Sequence, residues 1–200
     1  MTKVLLIGFE PFGSFDTNVS WVVAEKVATR GVVGVDIVIE QVPVSFSRVH
    51  VALREAVEKH SPDLLIMLGQ SSVTDRIKLE RVALNMMDSA MGDNDGVKPN
   101  EEPIYKDEDG VLFTSLPIKQ LRSAIEAMGI NVKISNSAGL YVCNRAYYEV
   151  LRLCREREGL HAIFIHLPLY EGQTSSQPNK KTMPLVDMCR AIQTIIEEIK

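Results

Sequence analysis

The chain has 200 residues, 46% hydrophobic and 24% charged, and its 22 basic and 26 acidic side chains leave a net charge of −4. That length suits one globular domain whose core stands without metal or disulfide staples, and three cysteines make no disulfide framework. The charge balance argues against a general nucleic-acid binder, which carries a basic surplus.

No apolar run reaches the roughly 18 residues of a membrane span, so no membrane partner is expected. The run Val4-Leu5-Leu6-Ile7 is also shorter than a signal-peptide core of about 7–15 residues. The expected compartment is the cytoplasm, where the Asn18-Val19-Ser20 sequon reads as a chance match. Val4-Leu5-Leu6-Ile7, closed by Gly8, reads as a buried strand. Residues 8–18 (GFEPFGSFDTN) form a loop rich in glycine and phenylalanine. Residues 19–29 read as a helix with Asn18 as N-cap, and 35–42 as a strand. A helix is expected over 45–60, with Val49, Leu53, Ala56 and Val57 on one face, then a buried strand over 63–68 closed by Gly69.

This β-α-β-α-β order predicts a mainly parallel sheet covered on both faces. Residues 76–88 carry Ile77, Leu79, Val82 and Leu84 and read as one or two strands, followed by a long polar loop over 89–110. A helix over 118–128 ends at Gly129. Then come a strand over 131–135, a helix over 140–157, a strand over 161–167, a polar loop over 171–181 and a final helix over 184–199. The expected fold is α/β: a single three-layer domain over 1–200, with a twisted, mainly parallel central sheet and helices on both faces.

Cys143 lies near a predicted helix start, after a turn containing Gly139. A helix N-terminus carries partial positive charge and unpaired N–H groups, and both favour a thiolate. A small buried hydrophobe is the plainer alternative. Cys154 shares that helix but sits about 16 Å further along its axis. It has no helix-end advantage and reads as core, as does Cys189. His166 ends a strand, and ligand sites in open α/β sheets gather beyond the carboxyl ends of strands. Helix N-termini emerge at that same edge, so Cys143 and His166 are candidates to meet. The alternative is a core or capping histidine. His50 and His60 read as solvated on a helix, and His161 as exposed. Glu80 stands in an apolar stretch, where a carboxylate can orient a histidine. A salt bridge to Arg76, Lys78 or Arg81 is the other reading.

Metal sites score poorly: there is no HExxH and no CxxC. Taking Gly96 as an EF-hand glycine puts Asp93, Asp95 and Glu102 at positions 3, 5 and 12, but Met91 at position 1 has no side-chain oxygen to offer. P-loop, G-x-G-x-x-G and G-x-S-x-G motifs are absent as well.

Six segments, taken together, resemble the pyrrolidone-carboxylate peptidases, also called pyroglutamyl peptidase I. They are Gly8-Phe9-Glu10-Pro11-Phe12-Gly13, Gly69-Gln70, Glu80-Arg81-Val82-Ala83-Leu84-Asn85, Asp93-Asn94-x-Gly96, Ser137-Ala138-Gly139-x-Tyr141-Val142-Cys143-Asn144 and Phe164-Ile165-His166-Leu167-Pro168. The resemblance implies a cysteine peptidase of one α/β domain, commonly a homotetramer, that removes an N-terminal pyroglutamyl residue from peptides. It implies no cofactor and no metal. It places the nucleophile on Cys143, the general base on His166 and the orienting acid on Glu80. Phe9 and Phe12 fall on ring-contacting aromatics and Gln70 on a polar substrate contact, while Phe15 reads as core packing.

The chain departs from the family pattern in three places, one of them Gly92, where proline is common. Gly69-Gln70-Ser71-Ser72-Val73-Thr74 stands where Gly-Gln-Ala-Gly-Gly-Arg is usual, and Ala90 where the family has an arginine near the active-site anion. A β-branched Val73 resists positive φ, so the loop backbone is expected to differ. Arg76 is a candidate to compensate, since in an extended segment it shares a side with position 74. The departures also keep two alternatives in view: a thiol hydrolase of this fold on another acyl or lactam substrate, and an impaired binder of pyroglutamyl peptides.

Overall fold

The structure, a computed structural model, describes residues 1–173 and 181–200. Residues 174–180 of the expected polar loop lie outside them. The elements are β1 (Thr2–Phe9), α1 (Val19–Arg30), β2 (Val35–Val42), α2 (Val49–His60), β3 (Leu64–Gln70), β4 (Ile77–Glu80), β5 (Val82–Leu84), β6 (Val111–Phe113), α3 (Ile118–Ala127), β7 (Val132–Ser135), α4 (Val142–Glu156), β8 (His161–Leu167) and α5 (Leu185–Ile199).

Six strands form one sheet in the order β2-β1-β3-β8-β4-β7. β2, β1, β3 and β8 are parallel. β4 runs antiparallel to β8 and parallel to β7, so two strands oppose the other four. β5 and β6 pair antiparallel in a small separate sheet.

Side chains alternate across a strand, and that period builds the three layers. Leu5, Ile7, Leu65, Met67 and Phe164 pack under α2 and α4, with Leu53, Val57, Tyr147 and Leu151. Leu6, Ile66, Leu68, Ile163 and Ile165 pack on the opposite face against α1, α3 and α5, with Val23, Leu121 and Ile192. Each such side chain contributes about 1.5–3 kcal/mol when fully buried. Asn18 caps α1 through its side chain, which accepts the Ser20 N–H at 3.1 Å. Gly8 lets α1 lie directly on β1: a Cβ there would come 2.7 Å from Trp21 Cα.

Two helices start later than expected. α2 begins at Val49, because residues 45–48 form a turn in which Ser45 Oγ donates to Asp95 Oδ2 at 2.6 Å and accepts the Arg48 N–H at 3.1 Å. α4 begins at Val142, because the chain turns at Gly139 with φ +81°. β6 is an addition to the expected elements. The segment over 76–88 resolves into β4 and β5, two strands.

Candidate active site

Three elements come together near the carboxyl edge of the parallel strands. His166 is the last residue but one of β8 and is 7% exposed. Glu80 ends β4 and is fully enclosed. The β4–β8 register sets Lys78 opposite His166 and Glu80 opposite Phe164, so Glu80 and His166 are diagonal neighbours on one face. Glu80 Oε1 lies 2.8 Å from His166 Nδ1. Tyr147, fully buried, donates its hydroxyl to the Glu80 carbonyl at 3.0 Å and steadies the strand end. Gly69 faces His166 from β3. A Cβ there would fall 2.6 Å from the Phe164 ring and 3.0 Å from His166 Cδ2, so the glycine makes room for the imidazole.

Cys143 is the second residue of α4 and is half-buried. The Tyr141 carbonyl accepts the N–H groups of Asn144 and Arg145, at 3.0 and 3.2 Å. The amides of Val142 and Cys143 open the helix at its partially positive end. Asn144 ties this first turn to the chain after Glu80. Its Nδ2 donates to the carbonyls of Leu84 and Met86 at 2.8 and 2.9 Å, and its Oδ1 accepts the Leu84 N–H at 2.8 Å. The Cys143 thiol acts, with Glu80, on the same imidazole and favours its charged form. Burial disfavours the charged ring, but the contacts with Cys143 and Glu80 outweigh it and raise the His166 pKa to about 9. A thiol, an imidazole and an orienting carboxylate in this order are the parts of nucleophilic catalysis.

Beside the thiol is a small, mostly apolar cavity. Phe9, Phe12 and Gln70 line it. Asn18, Val44, Tyr141 and Val142 complete the wall, and sequence reasoning had not named them as lining residues. Tyr141 and Val142 immediately precede Cys143, which was a usable signal; Val44 gave none. Phe15 is half-buried, its ring 6.2 Å from that of Phe12. Gln70 Oε1 accepts the Val19 N–H at 3.1 Å and Gln173 Nε2 at 2.7 Å, while its Nε2 is enclosed with no partner among the described residues.

Residues 91–97 are hydrogen-bonded to segments that carry the cavity wall. Tyr141 donates its hydroxyl to the Gly92 carbonyl at 3.1 Å, and Asn94 Nδ2 donates to Glu10 Oε1 and the Pro11 carbonyl at 2.8 and 2.9 Å. The Asp93 carboxylate accepts three backbone N–H groups, from Phe46, Asp95 and Val97. Asp95 pairs with Arg48 at 2.8 Å; Arg48 first, then Ser45, hold its pKa at about 2. These acids build the loop. Among the described residues no group of three or more His, Cys, Asp or Glu side chains is placed to hold a metal.

Several expectations change. Residues 71–76 form turns and bends rather than an extended segment, so Arg76 does not share a side with position 74 by strand alternation. Its Nε lies 3.3 Å from Asp75 Oδ1 and its side chain is about half exposed. The cation that the register brings beside His166 is Lys78. None of residues 71–74 takes a positive φ, and Val73 points into solvent, so this loop has no need of the missing glycines. His60 is held by Glu40 at 2.7 Å rather than solvated. His50 is half-buried, and burial, then the nearby Arg145, push its pKa down. His161 is exposed, as expected.

Known proteins resemble the chain over nearly its whole length. The sequence profile of the pyroglutamyl peptidase family matches residues 2–200. A pyrrolidone-carboxylate peptidase of Thermococcus onnurineus is 37% identical over 196 residues, covering 98% of this chain and 97% of that one. One of Bacillus licheniformis is 35% identical, covering 99% and 89%. The crystal structure of pyroglutamyl peptidase I from Bacillus amyloliquefaciens superposes with a TM-score of 0.91 at 34% identity, covering 97% of this chain and 94% of that one. The pyrrolidone carboxyl peptidase of Fervidobacterium islandicum reaches 0.94 at 29% identity, covering 100% and 98%. Matched end to end in sequence and in fold, the chain belongs to the pyroglutamyl peptidase family.

Proposed function

We propose that this chain hydrolyses the amide bond after an N-terminal pyroglutamyl residue of peptides, with Cys143 as nucleophile, His166 as general base and acid, and Glu80 as the carboxylate that orients the imidazole. The observation that carries it is the 2.8 Å contact between Glu80 and His166, with Cys143 acting on the same imidazole beside a small, mostly apolar cavity. A cationic imidazole and the start of α4 are the surroundings a thiolate nucleophile needs.

Cys143 Sγ attacks the scissile carbonyl carbon and forms a C–S bond. The developing oxyanion meets the free N–H groups at the start of α4. His166 gives its proton to the leaving amine as the C–N bond breaks, which releases the shortened peptide. Water, deprotonated by His166, then attacks the thioester. The C–S bond breaks and pyroglutamate leaves. Each step is proton and acyl transfer, so the reaction asks for no cofactor.

Recognition follows the same economy. Pyroglutamate is a compact neutral lactam, so it needs apolar walls and a few polar partners. Phe9 and Phe12 supply walls, and Gln70 donates its unpartnered Nε2–H to the lactam carbonyl. The compartment in this reading is the cytoplasm and the assembly a homotetramer. Light scattering checks the assembly, with four chain masses expected.

A chromogenic pyroglutamyl amide tests the proposal. The wild-type chain releases the amine and Cys143→Ala, equally folded, does not. Equal turnover by both proteins, or by neither, would reject it.

A further inference from the structure

The turn after β8 reaches back to the site through one side chain. Gln173 ends the short 3-10 turn Glu171–Gln173, its N–H bonded to the Tyr170 carbonyl at 2.9 Å, and it is 7% exposed. Gly172 permits the turn, since a Cβ there would lie 2.5 Å from the Tyr170 ring. Gln173 Nε2 donates twice, to the Thr17 carbonyl at 2.9 Å and to Gln70 Oε1 at 2.7 Å. A backbone carbonyl only accepts, so Thr17 fixes which way the Gln173 amide points. A backbone N–H only donates, so Val19, at 3.1 Å, fixes Gln70 Oε1 toward itself. Two main-chain groups thus orient both carboxamides. Two atoms are left over, Gln173 Oε1 and Gln70 Nε2, both enclosed and without a partner among the described residues; of the two, Gln70 Nε2 belongs to the side chain that lines the cavity with Cys143.

We propose that Gln173 is a positioning residue for the lactam site: its two donated hydrogen bonds lock the Gln70 carboxamide with its N–H2 group presented to the substrate's lactam carbonyl. This rests on the role proposed above for Gln70. The last torsion of a glutamine is soft, and without Gln173 one fixed partner alone holds the Gln70 oxygen. The amide is then no longer pre-set, and binding weakens. The lactam is remote from the bond that breaks, so its contacts persist from ground state to transition state. Their loss falls on KM rather than kcat.

Kinetics on a pyroglutamyl amide with Gln173→Met, Gln70→Met and the double variant test this. Methionine keeps the length and removes the hydrogen bonds. Gln173→Met is expected to raise KM about tenfold with kcat within about threefold and the pH profile of kcat in place. The double variant is expected to be no worse than Gln70→Met alone. If Gln173→Met does not fold, Gln173→Asn, which shortens the reach of the amide, is expected to raise KM in the same way. A raised KM in Gln70→Met with an unchanged KM in the position-173 variant overturns the proposal and leaves the role of Gln70 standing. Additive effects in the double variant, or a fall in kcat with a displaced pH profile, show a role in holding the β8 exit and also overturn it. An unchanged KM in Gln70→Met removes the Gln70 reading itself, and this inference with it.

Discussion

Glu80 and His166 set the pH behaviour of the site. The imidazole pKa is raised from 6.5 to about 9, with burial opposing the shift and Cys143 and Glu80 driving it. A folded-state pKa above the unfolded one stabilises fully below about pH 6.5 and is lost as pH rises through about 9. Unfolding free energy should therefore fall between these values, and His166→Gln should flatten that part of the curve in chemical denaturation. Glu80→Gln keeps the shape and removes the charge. It should lower kcat about 100-fold and bring the alkaline limb of the pH–rate profile to lower pH. Gly69→Ala tests crowding: its Cβ would collide with the Phe164 ring and press on His166, and overpacking costs about 1–3 kcal/mol. A tenfold or greater loss of kcat is expected from the displaced imidazole. Arg76→Ala should change kcat/KM by less than about twofold, since Arg76 is half exposed against Asp75. Cys143, His166 and Glu80 were legible as separate candidates because helix starts and strand ends have recognisable chemistry. Val44 was not. It belongs to no regular element, and the docking of residues 45–48 on Asp93 and Asp95 fixes the chain beside it.

At the scale of elements, α4 matters most, because it carries the thiol at its start. Its body is pinned by Glu149, fully buried, which pairs with Arg145 at 3.1 Å and Arg54 of α2 at 2.7 Å and accepts from Tyr105 of the long loop. Burial pushes the Glu149 pKa up, yet Tyr105 and the two arginines more than offset it and keep the carboxyl below its ordinary range. Glu149→Ala leaves Arg145 enclosed without its anion, and about 3–5 kcal/mol of stability should be lost in urea titration. Such a network joins residues far apart in the chain, so nothing in the local sequence announced it. The reversed direction of β4 was hidden for a related reason. A four-residue strand with three residues buried looks alike whichever way it runs. The late start of α2 had a similar origin, because Ser45 is held by Asp95, fifty residues away.

Over the whole molecule, the three-layer arrangement was readable from alternating apolar strands and one-faced helices, and that same arrangement sorts the three thiols. Cys154 and Cys189 lie in helix bodies, and burial raises their pKa, that of Cys154 to about 12. Cys143 stands at a helix start beside His166. In the proposed reading, reactivity belongs to one sulfur and depends on an imidazole that arrives from β8. Alkylation with iodoacetamide near neutral pH, followed residue by residue with mass spectrometry in the wild type and in His166→Ala, reads this directly. Rapid labelling of Cys143 alone in the wild type, slowed at least tenfold in the variant, is the expected result. Equal labelling rates of Cys143 in the two proteins would contradict the account.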